Sequence, residues 1–205
     1  MAYLGTQPND VKKNTGLYTP SEILQLTKDG SWGGSLELIE EQTVSSATSS
    51  INFTNIKGSQ YDVHFLTILG YETNGGGSEL VLVRFSNDGG STYESSNYQN
   101  AQQVCATSGS FSVISGTSDS AIQLSYTNNT EQSNNYVFLY NLNNSSKYSF
   151  ATFHGLKQGA DISFGSGVYA VSETINALQV TTGVACDVAT IKLYGVKQIW
   201  AILDT

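Results

Sequence analysis

From about residue 36 onward the chain is a succession of short runs rich in β-branched and aromatic residues, punctuated by Gly, Asn, Asp and Ser, and none carries a helical period. The runs fall at 36–42, 50–54, 61–71, 79–85, 111–115, 121–126, 136–141, 148–153, 168–171, 177–181 and 189–196. In several the apolar residues alternate, as with Ile51 and Phe53 around Asn52 or Ile191 and Leu193 around Lys192, which turns one face to a core and one to solvent. Two are apolar on both faces: Leu80-Val81-Leu82-Val83 and Tyr136-Val137-Phe138-Leu139-Tyr140. Such strands need cover on both sides, so a second layer is predicted over them, supplied by the N-terminal arm or by another chain. Eleven short runs with no intervening helix predict an all-β fold, an antiparallel β-sandwich of jelly-roll type.

Residues 1–33 read as an arm. Both prolines, Pro8 and Pro20, lie here, and no alternating pattern is present. Thr19-Pro20-Ser21-Glu22 has the spacing of a capping box, with Thr19 at the N-cap, Pro20 at the first helical position and Glu22 placed to reach back. Ile23, Leu24 and Leu26 follow as an apolar stripe and Gly30 is a natural stop, so one helix of about two turns is predicted. So short a helix draws most of its stability from packing. The arm is therefore expected to dock, through Tyr18, Pro20, Ile23, Leu24 and Leu26, while residues 34–205 form the β domain.

Charge narrows the partners. Only 13% of the 205 residues are charged and the net charge is -8, with nine basic residues that never cluster, so a phosphate-tracking groove has little to work with and nucleic acid is not an expected partner. No stretch approaches the roughly 18 apolar residues of a membrane helix, and Met1-Ala2-Tyr3-Leu4-Gly5 lacks the basic start of an export leader. Synthesis in a cytoplasm without membrane insertion is the expectation. In that setting Asn52, Asn128, Asn143 and Asn144 in Asn-x-Ser/Thr patterns reflect composition, and Cys105 and Cys186 are expected as free thiols.

The motifs that carry chemistry are weak. His64 and His154, the two histidines, lie in strand-like runs without ligand partners at useful spacing, although Asp62 and His64 would share a face by period two. Glu40 and Glu41 point to opposite faces of a strand, so with Glu37 they suit a charged sheet edge better than the carboxylate pair of a glycosidase. Gly165-Ser166-Gly167 is too short for a nucleophile elbow, and Gly75-Gly76-Gly77, between two strand runs, reads as a flexible hairpin connection, since it leads into a strand where phosphate binding wants a helix. Asn87-Asp88-Gly89-Gly90 has too few oxygen ligands for calcium and reads as a hairpin turn supported by Asp88. No enzyme activity, metal or cofactor is expected. A sugar-binding surface would need exposed aromatics beside amides, and the segment after the turn, with Tyr93, Asn97, Tyr98, Asn100 and Gln102, is the predicted glycan contact.

Taken in order, Gly34-Ser35-Leu36-Glu37-Leu38-Ile39-Glu40, Ser50-Ile51-Asn52-Phe53-Thr54-Asn55-Ile56, Val83-Arg84-Phe85-Ser86-Asn87-Asp88-Gly89-Gly90-Ser91-Thr92-Tyr93 and Leu193-Tyr194-Gly195-Val196-Lys197 resemble small virion structural proteins of marine tailed bacteriophages. The resemblance implies a particle component, a β-sandwich displayed on a tail fibre or decorating the capsid at the virion surface. It also implies that the segment Tyr18-Thr19-Pro20-Ser21-Glu22-Ile23 attaches the protein to other virion proteins. A homo-oligomer is expected, a trimer about a fibre or capsid axis, with a host-surface glycan as a further partner. In the family Leu-Tyr-Gly-Val-Lys ends or nearly ends the chain, whereas residues 198–205 follow it here as an apolar tail, which predicts an added strand or a subunit contact.

Overall fold

The computed structural model describes residues 19–28, 35–159 and 161–197, with side chains 23 and 26–28 outside the description. The chain divides between Ser35 and Leu36 into two units. In the first, helix α1 (Pro20–Lys28) begins on the capping box: Glu22 Oε2 accepts the Thr19 N–H at 2.6 Å and Thr19 Oγ1 accepts the Glu22 N–H at 3.3 Å. These bonds hold the Glu22 pKa below the usual carboxylate range. Leu24 is exposed; Tyr18, the side chains of Ile23 and Leu26, and the Gly30 stop lie outside the described residues.

The second unit is β throughout its described length. Its strands are β1 (Leu36–Val44), β2 (Thr48–Phe53), β3 (Val63–Thr73), β4 (Glu79–Ser86), β5 (Tyr98–Ala106), β6 (Phe111–Asp119), β7 (Ile122–Thr127), β8 (Ser133–Tyr140), β9 (Ser149–Lys157), β10 (Asp161–Tyr169) and β11 (Ala177–Val196). All pairs are antiparallel. They form one eleven-stranded sheet in the order β6-β5-β10-β9-β8-β3-β11-β4-β7, with β1 and β2 added along β11. The sheet is nearly closed and barrel-like, because β7 at one end lies over β9 and β10 near the other. Among the described residues no helix is long and apolar enough to cross a membrane.

Two expectations change here. The runs 177–181 and 189–196 are the two ends of one strand. The first end of β11 pairs with β2 and β4 and the last with β1 and β3, and the register slips between Thr181 and Cys186 where the strand turns the corner. For the same reason Gly75–Gly77 is not a hairpin: β3 and β4 are not paired but flank β11. Strand β5 was not visible as an apolar run. Its inward residues are Tyr98, Asn100, Gln102 and Val104, two of them amides.

Those amides close the barrel. The edge of β7 that faces away from β4 bonds to side chains where another strand's backbone would be. Asn100 Oδ1 accepts the Gln123 N–H at 3.1 Å and its Nδ2 donates to Ala121 O at 2.8 Å; Gln102 Nε2 donates to Gln123 O and Leu124 O, both at 3.3 Å; Asn135 Oδ1 accepts the Ser125 N–H and hydroxyl at 3.3 and 2.8 Å. Each amide sits beside a glycine on the next strand, in register: Asn100 with Gly167, Gln102 with Gly165, Asn135 with Gly155. A Cβ at Gly155 or Gly165 would overlap the neighbouring amide side chain, and one at Gly167 would lie 2.9 Å from Asn100 Oδ1. The glycines give the amides room to reach β7, which explains Gly165-Ser166-Gly167 as the spacing that matches Asn100 and Gln102.

The rest of the core is conventional. Phe85, Tyr98 and Tyr169 pack with ring centroids 5.0–5.9 Å apart, and the Tyr98 hydroxyl accepts the Phe85 N–H at 2.8 Å. Each fully buried side chain of this size contributes roughly 1.5–3 kcal/mol of transfer free energy.

Candidate interaction surface

Side chains of a strand alternate, so every strand of the sheet that faces β7 also shows a second face to the outside. On β8 the outward residues are Asn134, Tyr136, Phe138 and Tyr140; on β9 Phe150, Thr152, His154 and Leu156; on β10 Ile162, Phe164, Ser166 and Val168. Strand register lines them up in rows. Tyr136, His154 and Phe164 are directly paired across β8, β9 and β10, with ring centroids 5.4 and 5.7 Å apart. Phe65 on β3 extends the aromatic surface, 4.7 Å from Phe138, 6.3 Å from Tyr136 and 6.1 Å from Tyr194. These are exposed groups: Tyr136 is 44% accessible, Leu156 49% and Ile162 51%. The outward positions of β8, β9, β10 and β5 carry no Asp, Glu, Lys or Arg.

The Tyr136–His154–Phe164 ridge separates two hollows of different character. On one side Phe65, Leu69, Leu156 and Ile162 line an apolar hollow of about 400 Å³. On the other side the floor is Thr152 and Ser166, and the wall beyond carries Phe150 and Val168. Large apolar residues continue outward on β6 with Phe111 and Val113 and on β1 with Leu36 and Leu38. Within the second unit no described strand forms a second layer over the outward face of β8, where Tyr136 is exposed.

The glycan contact predicted on residues 93–102 is not a surface patch. Tyr98, Asn100 and Gln102 are buried, the first in the aromatic core and the others in the barrel closure. Tyr93 is half-buried, with its hydroxyl packed toward Gly90. Only Asn97 is exposed, at a φ of 66° that Asn tolerates. The error lies in treating polar residues of β5 as exposed; their polarity serves the edge of β7.

Asn87-Asp88-Gly89-Gly90 joins strands that are not paired, so it is a crossover turn and not a hairpin tip. Asp88 does support it. Its carboxylate accepts the Thr92 N–H at 3.0 Å, the Thr92 hydroxyl at 2.7 Å and the Ser86 hydroxyl at 2.8 Å, and the Thr92 bonds above all hold its pKa down to about 2. Asn176 stitches the turn to the start of β11, accepting the Gly89 N–H and donating to Asn87 O, each at 2.8 Å.

The remaining candidates are structural. His64 is buried with Nε2 2.7 Å from Ile56 O, and burial pushes its pKa down; Asp62 is exposed and does not share its face, because β3 begins only at Val63. Glu37 lies 3.2 Å from Lys197 and 3.6 Å from Lys57, and Glu41 pairs with Lys192 at 3.2 Å across the β1–β11 ladder, on the edge strand expected. Cys105 and Cys186 are free thiols; burial pushes the Cys186 thiol up to about 11. Among the described residues no cluster of three His, Cys, Asp or Glu is arranged to hold a metal ion. No protein-family model and no curated protein matches this chain.

Proposed function

We propose that the chain is a non-enzymatic structural component of a tailed-phage particle, a homo-oligomeric β domain displayed on the tail fibre and anchored through its N-terminal arm. The observation that carries this reading is the open outward face. Isolated exposed apolar residues are ordinary, but a contiguous uncharged face of aromatic and aliphatic side chains has the composition of an interface core. Here the face spans at least β3, β8, β9 and β10. The apolar hollow beside Leu156 and Ile162 is the natural seat of a neighbouring subunit's side chain.

The arm supports the same reading, since α1 exposes Leu24 on a helix of nine residues that needs a partner surface. The ordered motifs of residues 34–197 that resemble marine phage virion proteins add to it. A sandwich of jelly-roll type fits the placement of β7 over β9 and β10. A capsid-decorating or head-fibre position would use the same face and arm. Purified protein added to particles that lack it, followed by a gold-labelled antibody, tests the proposal: rebinding with label on the fibre is expected, label on the head would move the protein to the capsid, and failure to rebind would reject the reading.

A further inference from the structure

We infer that the outward face also holds a trough for a neutral polysaccharide, running across the strands over Thr152, Ser166 and Ala101. Register puts these three residues directly opposite one another on β9, β10 and β5, with Phe138 before them on β8 and Ser115 after them on β6. The residues two positions away on each strand are larger. On β9 the walls are His154 and Phe150; on β10 they are Phe164 and Val168; on β5 they are Gln103 and Gln99. Four residues of strand separate the walls, about 13 Å between Cα atoms, and the floor between them is hydroxyl and methyl. The hollow beside Tyr136, His154 and Phe164 and the hollow beside Phe150, Val168 and Gln99 both include Thr152 and Ser166, so the two, about 380 and 390 Å³, join into one groove.

The chemistry selects the occupant. A sugar ring offers an apolar C–H face and a rim of hydroxyls. Aromatic walls take the first and the Thr, Ser and Gln groups take the second, the mixture of apolar lining and few placed polar groups that small-ligand sites use. A protein side chain would gain more from the largely apolar hollow on the other side of the ridge. Polyanions are disfavoured, because the outward positions of the four strands supply no cation and the chain carries a net charge of -8. At the β8 end the Tyr140 hydroxyl lies 3.2 Å from Thr152 Oγ1, and the floor opens toward β6 at Ser115. The inference stands on this geometry alone and does not require that the protein belong to a particle.

Affinity electrophoresis of the full chain through gels containing dextran, a mixed-linkage β-glucan, a galactomannan or an arabinoxylan, with alginate as an anionic control, tests it. At least one neutral polysaccharide should retard the protein. Ser166→Phe, which fills the floor from an exposed position, and Phe164→Ala, which removes a wall, should each weaken binding roughly tenfold, as loss of one good stacking contact does. Ser95→Phe, which adds the same bulk at an exposed loop position outside all of these hollows, should leave retardation unchanged and so serves as the surface control. Retardation by none of the neutral gels, retardation by alginate alone, or binding indifferent to both trough variants would overturn the inference. A change of subunit number in Ser166→Phe without polysaccharide binding would assign the trough to a protein contact and overturn it too. A wild-type monomer that binds polysaccharide would instead reject the oligomer and leave the trough standing.

Discussion

On β5 and β10 the inward positions hold Asn100, Gln102, Ser163, Gly165 and Gly167, whereas the outward positions of β9 and β10 hold Phe150, Leu156, Ile162 and Phe164. Between the buried Tyr98–Tyr169 pair and Val104, the inside of this part of the sheet is polar and small, while the outside carries aromatic and aliphatic side chains around Thr152 and Ser166. Both halves of the inversion have a cause. The inner face must satisfy the free edge of β7, and a buried N–H or C=O left without a partner costs more than an amide side chain does when every one of its bonds is made. The outer face carries no such duty, and its apolar surface remains available for association. Polarity inside therefore serves the edge of β7, even though Gln102 Oε1 and Ser163 Oγ are themselves buried without a partner, and its absence outside leaves apolar surface uncovered.

The comparison can be broken from the inside first. Gly165→Val would drive a side chain into Gln102 and the Ala101 carbonyl, and adding overpacking to the displaced amide bonds should cost about 3–5 kcal/mol in urea unfolding. A near-neutral result would mean that Gly165 does not lie against Gln102 in this register. Asn100→Ala strips the Gln123 N–H and Ala121 C=O of their partners and should cost about 1–3 kcal/mol with no change in m-value. If the loss were within experimental error, water would be replacing the amide and the closure would be looser than the hydrogen bonds indicate.

A smaller effect belongs to the crossover turn. The Asp88 pKa is lowered in the folded protein to about 2, below its unfolded value of about 3.9, so its contribution is fully present above that unfolded value and is lost as pH falls through the window between them. Asp88→Asn should lower the near-neutral melting midpoint and flatten its fall between about pH 4 and pH 2, so that the two proteins converge at the acid end. Parallel curves for the two proteins would show that the Thr92 and Ser86 bonds do not favour the charged form.

Much of the strand inventory was legible because period-two alternation survives wherever a strand has one wet face, as at Ile51 and Phe53. Strand β5 was not, since Asn100 and Gln102 stand where alternation leads a reader to look for Val or Ile. The continuity of β11 was hidden by Gly183 and the polar residues around its corner, which look like a loop when read alone. The capping box of α1 was fully readable, because its bonds are local: Thr19 and Glu22 are three residues apart. The candidate site was half legible. The β8 run announced an apolar second face, but which residues of β9 and β10 share its rows depends on register, which no single strand encodes. Placing the functional surface on residues 93–102 failed for the same reason, as the partner that buries Asn100 and Gln102 lies more than twenty residues away in β7.

The smallest expected change in stability belongs to the outer face, and it gives the sharpest test. Leu156→Ser with Ile162→Ser removes two half-exposed apolar side chains from the hollow and should alter unfolding free energy by no more than about 0.5 kcal/mol per site. Sedimentation velocity of wild type and this double variant at matched concentration therefore isolates association from folding. The account predicts a wild-type oligomer, a trimer by mass, that dissociates in the variant while the melting midpoint of the β domain holds; a wild-type chain that stays monomeric at high concentration, or a variant that keeps the wild-type mass, would contradict it.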